Sequence, residues 1–204
     1  MPVILTSNGL SSPAIILTYK KLFNAGFKKA AIVVTADPDY REKNWKAVST
    51  KDKFARIGFC VAFFDIEYSS PNRLFEYDIL FFIGGNPFYL INQIRKTHTD
   101  KTLHELLSMG KVISGLSAGS IVLGNTIVLI NEFDPQMNNN IGLSDFTGVG
   151  LTNINLCPHY SKYINKYENF DKRIALVEKA YNIKITCIND GEAIIIDDGK
   201  ILKI

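Results

Sequence analysis

Short runs of uninterrupted apolar residues alternate along this chain with stretches that repeat at helical spacing, and no other property constrains its fold as strongly. Residues 3–5 precede a helix-like stretch at 13–25, and 30–35 precede a polar helix near 43–57. Runs at 60–66 and 79–83 follow, the second leading through Gly84-Gly85-Asn86-Pro87 into a helix at 88–95. Residues 103–109 read as a helix, 112–115 as the next strand, and 154–157, 183–188 and 193–196 as late strands. Strands that are apolar on both faces must be covered on both, so the pattern predicts an α/β fold: a mostly parallel central sheet with helices on both faces. In such a sheet ligands bind beyond the carboxyl ends of the strands, where the turns at Gly84 and Gly115 both fall. Residues 131–150 form the one long irregular stretch, read as a loop or small hairpin over the site.

The 204 residues fit a single domain over 1–204, long enough to bury about 70% of the surface its unfolded chain exposes. With 47% hydrophobic and 21% charged residues and no low-complexity run, nothing reads as a linker or disordered tail. The excess of 23 basic over 20 acidic residues is small and scattered, which argues against nucleic acid or an anionic membrane as partner. Cys60, Cys157 and Cys187 are odd in number and lack metal-ligand spacing, so reduced thiols and no metal are expected. The opening Met-Pro-Val-Ile-Leu-Thr-Ser-Asn has neither the basic start nor the apolar core of a signal peptide, and no window approaches the roughly 18 to 20 apolar residues of a membrane helix. A cytoplasmic address follows as an expectation.

Chemistry enters at Lys111-Val-Ile-Ser-Gly-Leu-Ser-Ala-Gly-Ser120. A strand breaks there at Gly115 and turns at once into a helix, with Ser117 at the bend. Gly115 to Gly119 fit G-x-S-x-G, the nucleophile elbow, in which small neighbours let a strained turn push a serine hydroxyl out of the backbone. A serine is a poor nucleophile until a base takes its proton, which directs attention to the histidines. His98 lies in a polar stretch and His104 within a helix. His159 instead follows the run 154–157 and Pro158, so it is expected at a strand's carboxyl end, on the edge that presents Ser117.

The third member should be a carboxylate that fixes the imidazole tautomer. Asp190, after the run 183–188, ranks first, followed by Glu192, Glu132 and Asp134. Oxyanion donors are expected from the amide of Ala118, just after the nucleophile, and from the Gly84-Gly85-Asn86 turn, where bare backbone can approach a substrate. Asn86 would also cap the helix that Pro87 begins.

Taken in order and spacing, Phe81-Phe82-Ile83-Gly84-Gly85-Asn86, Gly115-Leu116-Ser117-Ala118-Gly119-Ser120, Asn155-Leu156-Cys157-Pro158-His159-Tyr160, Arg173-Ile174 and Asn189-Asp190-Gly191-Glu192-Ala193 resemble the aspartyl dipeptidase (dipeptidase E) family of serine peptidases. The resemblance covers most of the chain. It implies a flavodoxin-like sheet of the class I glutamine amidotransferase kind and a small cytoplasmic peptidase that needs no metal or other cofactor. It also implies Ser117 as nucleophile, His159 as base, the amides of Gly85 and Ala118 as oxyanion donors, and small peptides as substrates, with Asn86 and Arg173 as candidate substrate contacts. Two positions depart from the family pattern. Asp190 stands where the family usually has glutamate, and Phe170 stands near the basic residue that holds the substrate's aspartate side chain, with Lys172, Arg173 or Lys166 as possible substitutes. Glutamine amidotransferases place a cysteine at the elbow and a glutamate two residues after the histidine; Ser117 and Ser161 argue against that activity. An esterase or amidase of other small acyl compounds, and a noncatalytic small-molecule-binding homologue, are the alternative readings. Labelling of Ser117 by a fluorophosphonate separates the last from the enzymes.

Overall fold

The computed structural model describes residues 2–204. Its strands, in chain order, are β1 (Val3–Thr6), β2 (Lys29–Val33), β3 (Cys60–Phe64), β4 (Ile79–Phe82), β5 (Val112–Leu116), β6 (Asn155–Cys157), β7 (Ile185–Cys187), β8 (Ala193–Asp197) and β9 (Lys200–Lys203). The α-helices are α1 (Pro13–Asn24), α2 (Trp45–Ile57), α3 (Pro87–Lys96), α4 (Thr99–Ser108), α5 (Ala118–Ile121), α6 (Val128–Phe133), α7 (Tyr160–Lys166) and α8 (Phe170–Tyr181). A seven-stranded sheet runs in the order β3-β2-β4-β5-β1-β8-β9. The first five of these strands are parallel, while β8 pairs antiparallel with β1, and β9 antiparallel with β8.

The continuous apolar runs have the expected cause. Every residue of β1, β4 and β5 is buried, because helices pack against the sheet and leave no solvated face for polar residues to alternate onto. Tyr19 of α1, Phe54 of α2 and Phe81 of β4 meet edge to face in that core, with ring centroids 4.8 to 6.2 Å apart. Helix starts follow local chemistry: Asn44 caps α2 through Lys46 N and Ala47 N, and Gly58 in the left-handed region ends it. That cap shortens the helix read at 43–57, and residues 41–43 form a separate 3₁₀ turn.

Two expectations require correction, and one strand was missed. The runs at 154–157 and 183–188 do not join the central sheet; β6 and β7 pair parallel in a two-stranded sheet of their own, with Cys157 opposite Cys187. Leu156 and Ile188 face the main core, whereas Cys157 and Ile185 belong to a second cluster with Val128, Leu129, Phe133, Phe170, Ile174 and Val177. Strand β9 was not read at all, because its residues are exposed and Ile201 and Leu202 have no burial pattern to betray them. Residues 131–150 are not wholly irregular: α6 runs to Phe133 and a 3₁₀ turn covers Pro135–Asn138. Arg95 ties the remainder down through the carbonyls of Asp145 and Thr147. No described helix is long and apolar enough to cross a membrane.

Candidate active site

Strand β5 delivers Ser117 at its carboxyl end with φ 50° and ψ −118°, a conformation that non-glycine residues rarely adopt. The surrounding glycines explain how the turn closes. A Cβ on Gly115 would lie 2.5 Å from the carbonyl carbon of Gly119, and one on Gly119 would lie 2.3 Å from the oxygen of Phe82. The strand and the short helix α5 therefore cross at backbone contact, which only hydrogen side chains permit. Neighbouring β1 pins the turn: Ser117 N donates to Thr6 O at 3.1 Å, Thr6 Oγ1 donates to Gly115 O at 2.7 Å, and Ser120 Oγ both accepts from Thr6 N and donates to Thr6 O.

The smaller sheet brings the remaining polar groups to this serine. His159 follows β6, itself in the left-handed region at φ 57°, and its Nε2 lies 3.0 Å from Ser117 Oγ. Its other ring nitrogen, Nδ1, lies 2.5 Å from Oδ1 of Asp190, which sits in the turn after β7. With Nδ1 protonated and donating to Asp190, the lone pair of Nε2 faces the serine hydroxyl. His159 was expected on the same sheet edge as Ser117; it comes instead from the other sheet, docked against that edge.

The other acids are placed elsewhere. Glu192 accepts from Asn189 N at 2.7 Å and pairs with Lys203, Glu132 pairs with Arg173, and Asp134 accepts from Tyr167 and Lys166. Arg173, a candidate substrate contact, gives its Nε and Nη2 to Glu132 and lies over the Phe133 ring. Phe170 is buried in the second cluster.

The glycine-rich turn after β4 abuts the elbow. A Cβ on Gly84 would stand 3.1 Å from Ser117 Cβ, and one on Gly85 would stand 2.2 Å from Ala36 O. The Gly85 N–H has no acceptor among the described residues, and Ala118 is the first residue of α5, whose N–H has no partner within the helix. Asn86 is occupied on both polar atoms. Its Oδ1 accepts from Phe88 N and Tyr89 N, and its Nδ2 donates to Met137 O, tying the 3₁₀ turn to α3.

Two residues at the site were not identified from sequence. Ser7 Oγ donates to Asp190 Oδ1 at 2.8 Å and accepts from His159 N at 2.9 Å. Lys162 Nζ lies 2.6 Å from Asp190 Oδ2. Ser7 was detectable in principle, since Thr6-Ser7-Asn8 ends an apolar strand at the ligand-binding edge; Lys162 is one of many surface lysines. Partial burial pushes the Asp190 carboxyl upward, but hydrogen bonds from Lys162, Ser7 and His159 outweigh it and hold the pKa at about 2. Burial pulls the His159 imidazole below its ordinary value against the opposing pull of Asp190, and Lys162 and Lys46 add to the lowering. No group of three His, Cys, Asp or Glu among the described residues is arranged to hold a metal ion.

A serine held on a strained strand-to-helix turn of a mostly parallel sheet, with a histidine in hydrogen-bond reach, places the molecule among the α/β hydrolytic enzymes of the serine type. The chain belongs to peptidase family S51, whose model matches residues 4–204, and is a serine-type peptidase. It is 26% identical over 156 residues to an uncharacterized peptidase of Listeria monocytogenes, a match covering 74% of each chain. It is 31% identical over 98 residues to peptidase E of Shewanella amazonensis, covering 48% of this chain and 40% of that one. Its fold is similar to the crystal structure of a putative peptidase E from Listeria monocytogenes, with a TM-score of 0.80 at 21% identity over 99% of this chain and 96% of the other.

Proposed function

We propose that the chain hydrolyses peptide bonds of small peptides through an acyl-enzyme, with Ser117 as nucleophile, His159 as general base and Asp190 as the orienting carboxylate. The observation that supports this reading is the continuous relay from Ser117 Oγ to His159 Nε2 at 3.0 Å and from His159 Nδ1 to Asp190 Oδ1 at 2.5 Å. His159 takes the hydroxyl proton as Ser117 attacks the carbonyl carbon, and the imidazolium is stabilised by Asp190. The amides of Gly85 and Ala118 receive the oxyanion, a contribution of about 3 kcal/mol for a well-aimed donor. His159 then gives its proton to the leaving amine, and a water molecule activated by the same nitrogen releases the acyl group. We retain a cytoplasmic setting as part of this reading.

Hydrolysis of a panel of dipeptides and chromogenic amides by the wild type and by Ser117→Ala tests it. Activity confined to the wild type, with fluorophosphonate labelling of Ser117, is the expected result. Full peptidase activity in Ser117→Ala would sink the proposal.

A further inference from the structure

We propose that Lys46 is a specificity-determining residue that binds a carboxylate of the peptide substrate beside Ser117; this rests on the peptidase reading above. Lys46 stands in the first turn of α2 and lines a small cavity with Asn8, Ser11, Ser49, Lys53 and Leu116. Leu116 is the residue immediately before the nucleophile, Asn8 follows the Ser7 that bonds Asp190, and the charge of Lys46 acts on His159, so the cavity wall adjoins the reacting groups. Its volume of about 70 Å³ has room for roughly two water molecules, or one carboxylate, and not for a bulky apolar side chain.

The charge balance singles out this lysine. Lys162 is neutralised by Asp190, Lys166 by Asp134 and Arg173 by Glu132. Lys46 has no ion pair within 4 Å among the described residues; its ammonium lies over the Trp45 ring, 5.7 Å from the centroid, and feels Asp190 only at longer range. Burial and the nearby charge of Lys162 disfavour its protonated form more than the more distant Asp190 favours it, and the first turn of a helix, here without any acidic residue, is the wrong end of the dipole for a cation. A half-buried ammonium with no close ion pair in such a place is relieved by an incoming anion, and Lys53 on the same cavity wall adds to the attraction.

The carboxylate can be an acidic side chain or the free terminus of the peptide. Four ligands separate these: Asp-Leu, Asp-Leu amide, Ala-Leu and Ala-Leu amide, titrated calorimetrically into Ser117→Ala with and without Lys46→Met. Lys46→Met is expected to weaken binding by about tenfold or more, the scale of a lost charge-assisted contact, for the ligands that carry the recognised carboxylate. It should leave Ala-Leu amide unchanged. Loss confined to the two aspartyl ligands identifies the side chain; loss confined to Asp-Leu and Ala-Leu identifies the terminus. Lys46→Arg should keep most of the affinity, which distinguishes recognition from damage to α2. Equal affinities of all four ligands with and without Lys46, or no binding of any of them, would overturn the assignment. Ser117-dependent hydrolysis by the wild type is read separately and stands or falls without it.

Discussion

The hydroxyl of Ser7 bridges the backbone of His159 and the side chain of Asp190, accepting from the amide of the first at 2.9 Å and donating to Oδ1 of the second at 2.8 Å. It ties the end of β1 to both turns of the smaller sheet at the point where that sheet meets Ser117. Ser7→Ala is therefore expected to lower kcat about tenfold with little change in KM, because the base is less firmly oriented while the substrate surface is intact. Thermal unfolding should register a loss of about 1 to 2 kcal/mol for a hydrogen bond to a charged group. Unchanged kcat in Ser7→Ala would remove Ser7 from the positioning of His159.

Asp190→Asn should lower kcat by about 10⁴, as expected when the carboxylate that fixes the imidazole tautomer is replaced by an amide. Glu192→Gln and Glu132→Gln should leave kcat within about twofold, because Glu192 is held by Asn189 and Lys203, and Glu132 is part of an exposed pair with Arg173. Steady-state kinetics on the three variants side by side assigns the acid. A large loss in Glu192→Gln with Asp190→Asn near wild type would reverse the assignment.

Gly85→Ala is expected to cost about 1 to 3 kcal/mol of stability, because a Cβ there would lie 2.2 Å from Ala36 O and the turn must shift. The shift moves the Gly85 amide, so kcat should fall by about 10²-fold even at temperatures where the variant is fully folded. Normal kcat in a folded Gly85→Ala would show that this amide does not face the oxyanion.

The pH profile follows from two opposite environments. Burial lowers the pKa of His159, so the imidazole stays neutral, and able to accept the serine proton, further into acid than an ordinary histidine. The acidic limb of kcat/KM should accordingly have its midpoint below about 6.5. Asp190, held at about 2, is ionised across that whole range. Its folded-state pKa is depressed, so its contribution to stability is full above the unfolded carboxylate value of about 3.9 and is lost as the pH falls toward about 2. Acid unfolding of Asp190→Asn should be flatter than wild type in that window.

Local features were legible in the sequence and long-range ones were not. Ser117 and the Gly84–Asn86 turn were readable because a strand-to-helix bend and a helix cap are set by residues within a few positions of each other. Asp190 and Glu192, two residues apart, were not separable by spacing; Lys203 draws one away and Lys162 and Ser7 hold the other, and all of these partners are distant in the chain. The two-stranded sheet of β6 and β7 escaped for a related reason: the short runs at 154–157 and 183–188 read as strands, but a run that short does not say which sheet it joins. Lys46 was invisible because a lysine in a polar helix is ordinary until its neighbours are known to leave it without a close ion pair.

The docking of β6 and β7 against the main sheet also decides when in the chain's history the site is assembled. The parallel strands that form the turn around Ser117 are complete by Leu116, while the imidazole and the carboxylate that line up with it arrive only with residues 159 and 190. If Ser117 is the nucleophile proposed above, a growing or partly folded chain thus carries it with no group to take its proton. On the reading proposed here, hydrolytic power is a property of the docked pair of sheets and of neither sheet alone.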